Sequence, residues 1–284
     1  MSGFHDRHAG LFAPADLESK RVLIVGAGSV GSQLAVSLAR AGVKKFWLID
    51  FDWVSETNLC RTAYREQDVG RFKVHALGDV LRSVRRDIQV GTDTRSLVGV
   101  DDDELAEWIR GADLVVGATD HPPTQGRLAA LSYATRPALF SGVYAKGEGG
   151  EVLYTLPEVT PCYWCVLGSI RGEHAPDRGR LDYGLAPGQL AAEPALGVDI
   201  LHVTVCAAKV ALALLLRGTG TEVEKVIDPA RSVLFVGNVA SWIWREPFET
   251  VWARAERREQ CVCRPLPDEG LEDDEALGLG APAP

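Results

Sequence analysis

The sequence predicts an α/β protein with a Rossmann-like, mostly parallel sheet, on three observations. Arg21–Val25 is a short, nearly all-apolar, β-branched run that ends at a glycine, as a buried parallel strand does. The loop Gly26-Ala27-Gly28-Ser29-Val30-Gly31 follows at once and leads into apolar residues at helical spacing, Val30, Leu34, Leu38 and Ala41, with Gly42 as the stop. Lys45, Phe46, Trp47, Leu48 and Ile49 then read as a second strand with Asp50 at its carboxyl end. Strand, glycine loop, helix, strand and acid in this order describe a nucleotide-binding βαβ unit. The glycines Gly26, Gly28 and Gly31 let the chain turn and let phosphates approach. The helix N-terminus supplies free N–H groups and positive potential, and Asp50, about 20 residues on, is placed for ribose hydroxyls. A glycine-rich turn that only packs a helix on a sheet is the plainer alternative.

Further along, Leu114 to Ala118 is apolar and runs on to Thr119 and Asp120, so a strand is expected there with Asp120 beyond its end. Ala138 to Gly142 reads as another strand. Val143 to Tyr154 reads as two strands joined by a glycine-rich turn. Residues 192–216 read as a long buried core helix with Pro194 near its start. The apolar stretch within it, interrupted by Cys206 and Lys209, is too short for a membrane span. Residues 232–236 and 241–244 read as late strands, the aromatics of the second packing under that helix. Arg82, Arg85 and Arg86, balanced by Asp87, and the acids from Asp101 to Glu104 read as solvated helix ends and caps.

The residues that follow Asp50 and Asp52 narrow the nucleotide. Asn58, Arg61 and Lys73 come in quick succession, and a redox Rossmann domain has no need of them. An enzyme that cleaves between the α- and β-phosphates does, because charge builds on the α-phosphate and on departing pyrophosphate, and fixed cations and amide donors stabilise it. Asp120 fits a Mg²⁺ site beside the phosphates. Taken singly, Arg61 or Lys73 fits a solvated surface charge and Asp120 fits a helix cap; the set points to ATP.

Those stretches carry a resemblance. VLIVGAGSVGS, LIDFDWVSETNLCR, DVGRFK, LVVGATD and PCYWC resemble the ThiF/MoeB/HesA family of E1-like adenylyltransferases, relatives of ubiquitin-activating enzymes, over roughly residues 20 to 263. The resemblance implies an E1-like adenylation fold, the sheet being extended by antiparallel strands. It implies a homodimer that uses ATP and Mg²⁺ to adenylate the C-terminal Gly-Gly carboxylate of a small ubiquitin-like or sulfur-carrier protein, with an E2-like or sulfurtransferase protein downstream. By the same resemblance Asp50 and the glycine loop bind the nucleotide, Asn58, Arg61 and Lys73 contact phosphates, Asp120 holds Mg²⁺, and Arg7 is delivered to the partner subunit's site. The expected organisation is an N-terminal arm (1–19), an ATP-binding half (20–142), an antiparallel half with crossover segment and zinc knuckle (143–265), and a disordered acidic tail (266–284).

Six cysteines in a chain with no secretory signature argue for metal or chemistry over disulfides. Cys162 and Cys165 form a CxxC, and Cys261 and Cys263 a CxC; four thiolates suit a structural Zn²⁺ that staples the tail to the body. An apo thiol cluster, or zinc completed by another ligand, is the alternative. Cys60 is expected to pack at the site and Cys206 to be a buried core thiol. Relatives of this family carry a catalytic cysteine in the crossover segment; here residues 168–197 contain none, and His174 within it reads as solvent-exposed. The thiol acceptor therefore belongs to a partner or lies elsewhere.

Across 284 residues the hydrophobic fraction is 46% and the net charge −9, which disfavours nucleic-acid binding. A cytoplasmic protein is expected, with no membrane association. Other readings stay open: E1-like adenylation of a peptide or an RNA nucleoside, a non-catalytic nucleotide-gated scaffold, or an NAD(P)-dependent oxidoreductase.

Overall fold

The computed structural model describes residues 3–167, 194–258, 261 and 263. Residues 168–193 of the crossover segment, His174 among them, and the acidic tail singled out above lie outside the described residues. An N-terminal turn and helix α1 (Pro14–Glu18) precede β1 (Arg21–Val25), α2 (Ser29–Ala41) and β2 (Lys45–Ile49). Helix α3 (Lys73–Val84), β3 (Gln89–Asp93), α4 (Asp102–Arg110), β4 (Leu114–Gly117), α5 (Pro122–Tyr133) and β5 (Ala138–Tyr144) follow. The chain continues through β6 (Gly149–Thr155), α6 (Gly197–Leu215), β7 (Val233–Gly237) and β8 (Thr250–Ala253).

The strands form one sheet in the order β3-β2-β1-β4-β5-β6-β7-β8. Pairing is parallel from β3 to β5 and antiparallel from β5 to β8. The expected mixed sheet is therefore observed. Because the chain leaves β1 toward β2 and β3 and returns on the other side as β4, the carboxyl ends of β1 and β4 flank a topological switch point, where open α/β sheets bind ligands.

Side-chain alternation divides the core. Val22 and Ile24 face a cluster with α2, α3 and α6, whereas Leu23 and Val25 face a second cluster with α4 and α5. Both faces of β1 are covered, so its apolar run needs no polar alternation. Helix α6 is long and apolar enough to cross a membrane by length and composition. Here Val203, Ala207, Val210, Ala211 and Leu214 are buried in the first cluster, as expected of a core helix. It begins at Gly197, beyond Pro194. A Cβ at Gly197 would lie 2.5 Å from the Cys60 carbonyl oxygen, so only glycine lets the helix start against that backbone.

Several expectations need correction. Ala138–Tyr144 is one continuous strand, so the stretch from Ala138 to Tyr154, read as three strands, forms two, β5 and β6, joined by a turn at Ala145–Gly147. Ser241, Trp242, Ile243 and Trp244 form a turn, not a strand, with Trp242 at φ 51°. The Trp244 indole covers Gly149 and Gly237, where Cβ atoms would come within 2.1 and 2.4 Å of the ring. It joins the cluster on the sheet face opposite α6, so these aromatics do not pack under the core helix. Arg85 is 5% exposed rather than solvated. It bonds Glu18 at 2.9 Å and Asp87 at 2.8 Å and lies over the Phe4 ring, which fastens the N-terminal segment to the end of α3. Cys60 is exposed, and Cys206 is half-buried. The acids of α4 behave as expected: Asp101 caps the helix by accepting the Glu104 N–H.

Candidate nucleotide site and thiol cluster

Two glycines of the loop are required by the fold, and the third is not. Gly26 has φ 96°, a left-handed conformation, and a Cβ there would sit 2.6 Å from the Ala118 carbonyl oxygen. A Cβ on Gly31 would lie 1.9 Å from the Gly26 carbonyl oxygen. At Gly28 a Cβ would meet nothing within 4 Å, so its bareness faces open space rather than protein. The loop thus folds tightly on itself and on the end of β4, while Gly28, the N-cap of α2, borders room for an anion.

Asp50 stands directly under this loop. Its Oδ2 accepts the Ala27 N–H at 2.6 Å and its Oδ1 accepts the Asp52 N–H at 2.8 Å. Burial pushes its carboxyl up, and the Lys73 charge together with the two amides opposes that shift. Lys73 opens α3 and its Nζ meets Asp52 Oδ2 at 2.7 Å. A short antiparallel lacing explains how positions so far apart meet. Lys73 N donates to Asp52 O, Val54 N to Arg71 O and Gly70 N to Val54 O, and the Trp53 and Phe72 rings meet at a 35° tilt with centroids 4.1 Å apart. Asn58 accepts the Ser55 N–H on its side-chain oxygen at 3.0 Å, so its amide NH₂ is the group it can present. Arg61 follows on the segment against which α6 begins: a Cβ at Gly197 would be 3.3 Å from its Cα.

Asp120 is exposed just beyond β4, next to the Ala118–Thr119 backbone that Gly26 abuts. It does not cap α5, whose N-cap is His121 without a side-chain cap bond. Gly26, Gly28, Gly31, Asp50, Asp52, Lys73 and Asp120 therefore gather at the carboxyl ends of β1, β2 and β4. Arg7 is not brought to them. It sits in the Asp6–His8 turn, and neighbouring His5 packs on Gly42, at the far end of α2 from the loop. Thirteen helical residues separate the two ends, about 20 Å.

Two residues that sequence reasoning missed hold this arrangement. Buried Tyr64 donates its hydroxyl to the Ala27 carbonyl at 2.6 Å, and Ser32 of α2 accepts the Ala63 N–H at 3.2 Å. No motif spacing marks either; the only clue is an aromatic ring to bury, Tyr64, just ahead of the charged run Arg65-Glu66.

The second constellation is the four thiols. Cys162, Cys165, Cys261 and Cys263 have sulfurs within 4.8 Å of one another, with Cys162–Cys261 and Cys165–Cys263 at 3.4 Å. A Zn–S bond of ~2.3 Å in a tetrahedron needs sulfurs about 3.8 Å apart, so the cluster is compatible with a structural zinc. The Arg258 N–H points at Cys165 Sγ at 3.3 Å. Burial works against ionisation throughout the cluster and pushes the Cys162 and Cys263 thiols up, whereas this amide and the neighbouring thiols bring Cys165 down to about 7.

Comparison with known proteins agrees with this geometry. The profile of the ThiF family matches residues 7–225. Over 160 residues, 56% of this chain, the sequence is 38% identical to the molybdopterin-synthase adenylyltransferase of Escherichia coli K12, and the match spans 63% of that relative. It is 31% identical over 161 residues to ubiquitin-like modifier-activating enzyme 5 of Caenorhabditis elegans, spanning 38% of that protein. The match thus covers less than two thirds of these relatives' length. Among solved structures, Escherichia coli MccB with ATP superposes with TM-score 0.62 at 19% identity, over 88% of this chain and 68% of that one. MccB in complex with N-formylated MccA gives 0.65 at 19% identity, over 88% and 69%. These two show a shared fold.

Proposed function

The chain belongs to the ThiF family, and from that premise we propose that it is an ATP-dependent adenylyltransferase. Its substrate is the C-terminal carboxylate of a small ubiquitin-like or sulfur-carrier protein ending in Gly-Gly. The observation that carries the reading is the meeting of the glycine loop, Lys73 and Asp120 at one switch point of the sheet. A carboxylate oxygen attacks the α-phosphorus of ATP, the bond to the bridging oxygen breaks, and pyrophosphate leaves with that electron pair. The product is an acyl-adenylate. Asp50 takes the ribose hydroxyls, the Gly28 region and the start of α2 take phosphate oxygens, and Asn58, Arg61 and Lys73 stabilise the charge that grows on the phosphates. Lys73 is held ready by Asp52, which releases it to the phosphates. Mg²⁺, held by Asp120, would supply charge neutralisation at the phosphates.

The distance of Arg7 from the loop of its own chain supports a homodimer in which it serves the other site. The absence of cysteine from residues 168–197 supports transfer of the acyl group to a thiol of a separate E2-like or sulfurtransferase protein. Four reduced thiols around zinc suit the cytoplasm.

The test is pyrophosphate–ATP exchange with candidate carrier proteins encoded beside this chain. Wild type exchanges, and Asp120→Ala loses at least about 100-fold. Full exchange by Asp120→Ala removes the assignment; NAD binding in place of ATP removes the reading.

A further inference from the structure

Ala27 is gripped on both sides. Its N–H is taken by Asp50 at 2.6 Å and its carbonyl by the Tyr64 hydroxyl at 2.6 Å. The same hydroxyl lies 3.2 Å from the Lys73 carbonyl, in the first turn of α3. Tyr64 is 5% exposed and its ring belongs to the core cluster of α2 and α3. The segment that carries it is itself fastened: Ser32 holds Ala63, and the fully buried Asp68 accepts the Arg65 N–H at 3.0 Å and Arg71 Nη1 at 3.2 Å. An apolar ring would fill this place in the core. The hydroxyl adds a polar group whose burial is costly unless bonded. Burial first, then the charges of Asp50 and Asp68, push the phenol up, so it remains a donor.

A trans peptide is planar, with its C=O and the following N–H pointing in opposite directions. Turning the Ala27 carbonyl toward Tyr64 turns the Gly28 N–H away from it, at the residue that borders open space. We propose that Tyr64 is a positioning residue of the nucleotide site: its hydroxyl sets the Ala27–Gly28 peptide so that the Gly28 N–H faces the phosphates, and ties that loop to the helix turn carrying Lys73. One hydroxyl proton cannot serve two carbonyls equally, so the shorter bond to Ala27 dominates and the contact to Lys73 is the weaker half of the tie. The proposal rests on the triphosphate reading of the site.

Tyr64→Phe keeps the ring and removes only the hydroxyl. In pyrophosphate exchange its KM for ATP should rise about fivefold to tenfold, the equivalent of one uncharged hydrogen bond. Its kcat should stay within about twofold, and inhibition by adenosine, which has no phosphates, should be unchanged. Equal weakening of ATP and adenosine, an unchanged KM, or a variant unfolded by circular dichroism would each overturn the positioning role and leave a structural one or none. These outcomes separate from failure of the functional reading: wild type that neither binds ATP nor exchanges pyrophosphate sinks both, whereas active wild type with an indifferent Tyr64→Phe sinks this proposal alone.

Discussion

The parallel and antiparallel halves share one sheet but are held together differently. In the parallel half, backbone groups take part at every junction of the site: Gly26 N bonds Ile49 O, Lys73 N bonds Asp52 O, Val54 N bonds Arg71 O, Gly70 N bonds Val54 O, and the Ala27 and Asp52 amides meet Asp50, all within about fifty residues of sequence. In the antiparallel half, the closing contact joins Cys162 and Cys165 to Cys261 and Cys263, about a hundred residues away, flanked by bonds from the Arg258 amide to Cys165 Sγ and from the Arg257 and Arg258 guanidinium groups to the Glu158 and Trp164 carbonyls. Bare thiols at 3.4 Å contribute little cohesion, so what the sulfurs bind decides how firmly the segment at 261–263 is stapled to a half that the β5–β8 ladder and α6 already hold together. The candidate nucleotide site is therefore preformed by the chain, and a zinc on the thiol cluster would strengthen the closure of the second half.

The largest expected effect would break that contrast if it failed. Stripping metal with a chelator, or Cys165→Ser, should lower the thermal midpoint by about 10 °C or more, while ATP affinity of the folded protein changes less than about twofold. A matching loss of ATP affinity would show that the two halves are not independent. Metal analysis of the untreated protein should find zinc.

Within the loop, Gly31→Ala and Gly28→Ala should part company. The first forces a methyl into the Gly26 carbonyl and should cost about 3 kcal/mol in denaturant unfolding. The second should alter stability by less than about 1 kcal/mol, because its φ of −76° suits alanine and its Cβ meets nothing. It should nevertheless weaken ATP at least about tenfold, or 1.4 kcal/mol, by placing a methyl where a phosphate approaches. Equal stability losses would contradict a loop whose middle glycine faces a ligand.

The smallest effect concerns the N-terminal anchor. Burial tends to raise the Glu18 carboxyl, but hydrogen bonds from Lys44, Arg85 and His5 prevail and bring it from 4.5 to about 2. Asp87, bonded by Arg85 and Lys44, also lies at about 2. Both groups bind protons more readily unfolded than folded, so their contribution is present above about pH 4.5 and is lost as pH falls toward 2. Glu18→Gln should flatten the pH dependence of unfolding in that window and leave ATP binding untouched.

Much of the first half was legible because its signals are local. β1, α2, β2 and the glycine loop appear where a run of apolar residues, a helical period and two or three glycines place them, and α6 declares itself by its apolar length. The errors share a cause. The alternating aromatics at 241–244 have the period of a strand, but Trp244 is turned back to cover two distant glycines, which no local pattern encodes. Arg85 looks like any helix-end arginine until Glu18, Asp87 and the Phe4 ring surround it.

What the sequence determined by itself is the chemistry available: a phosphate loop, an acid after each of two strands, a lysine at a helix start and four thiols in two pairs. Local spacing suffices for that, since strand and helix periods and glycine turns act over a few residues. What only the tertiary structure decided is which of these groups meet and how they are oriented. Tyr64 and Ser32 fix the loop, Asp52 holds Lys73, and Arg7 lies a helix length away, because such contacts depend on sheet order and packing between segments distant along the chain.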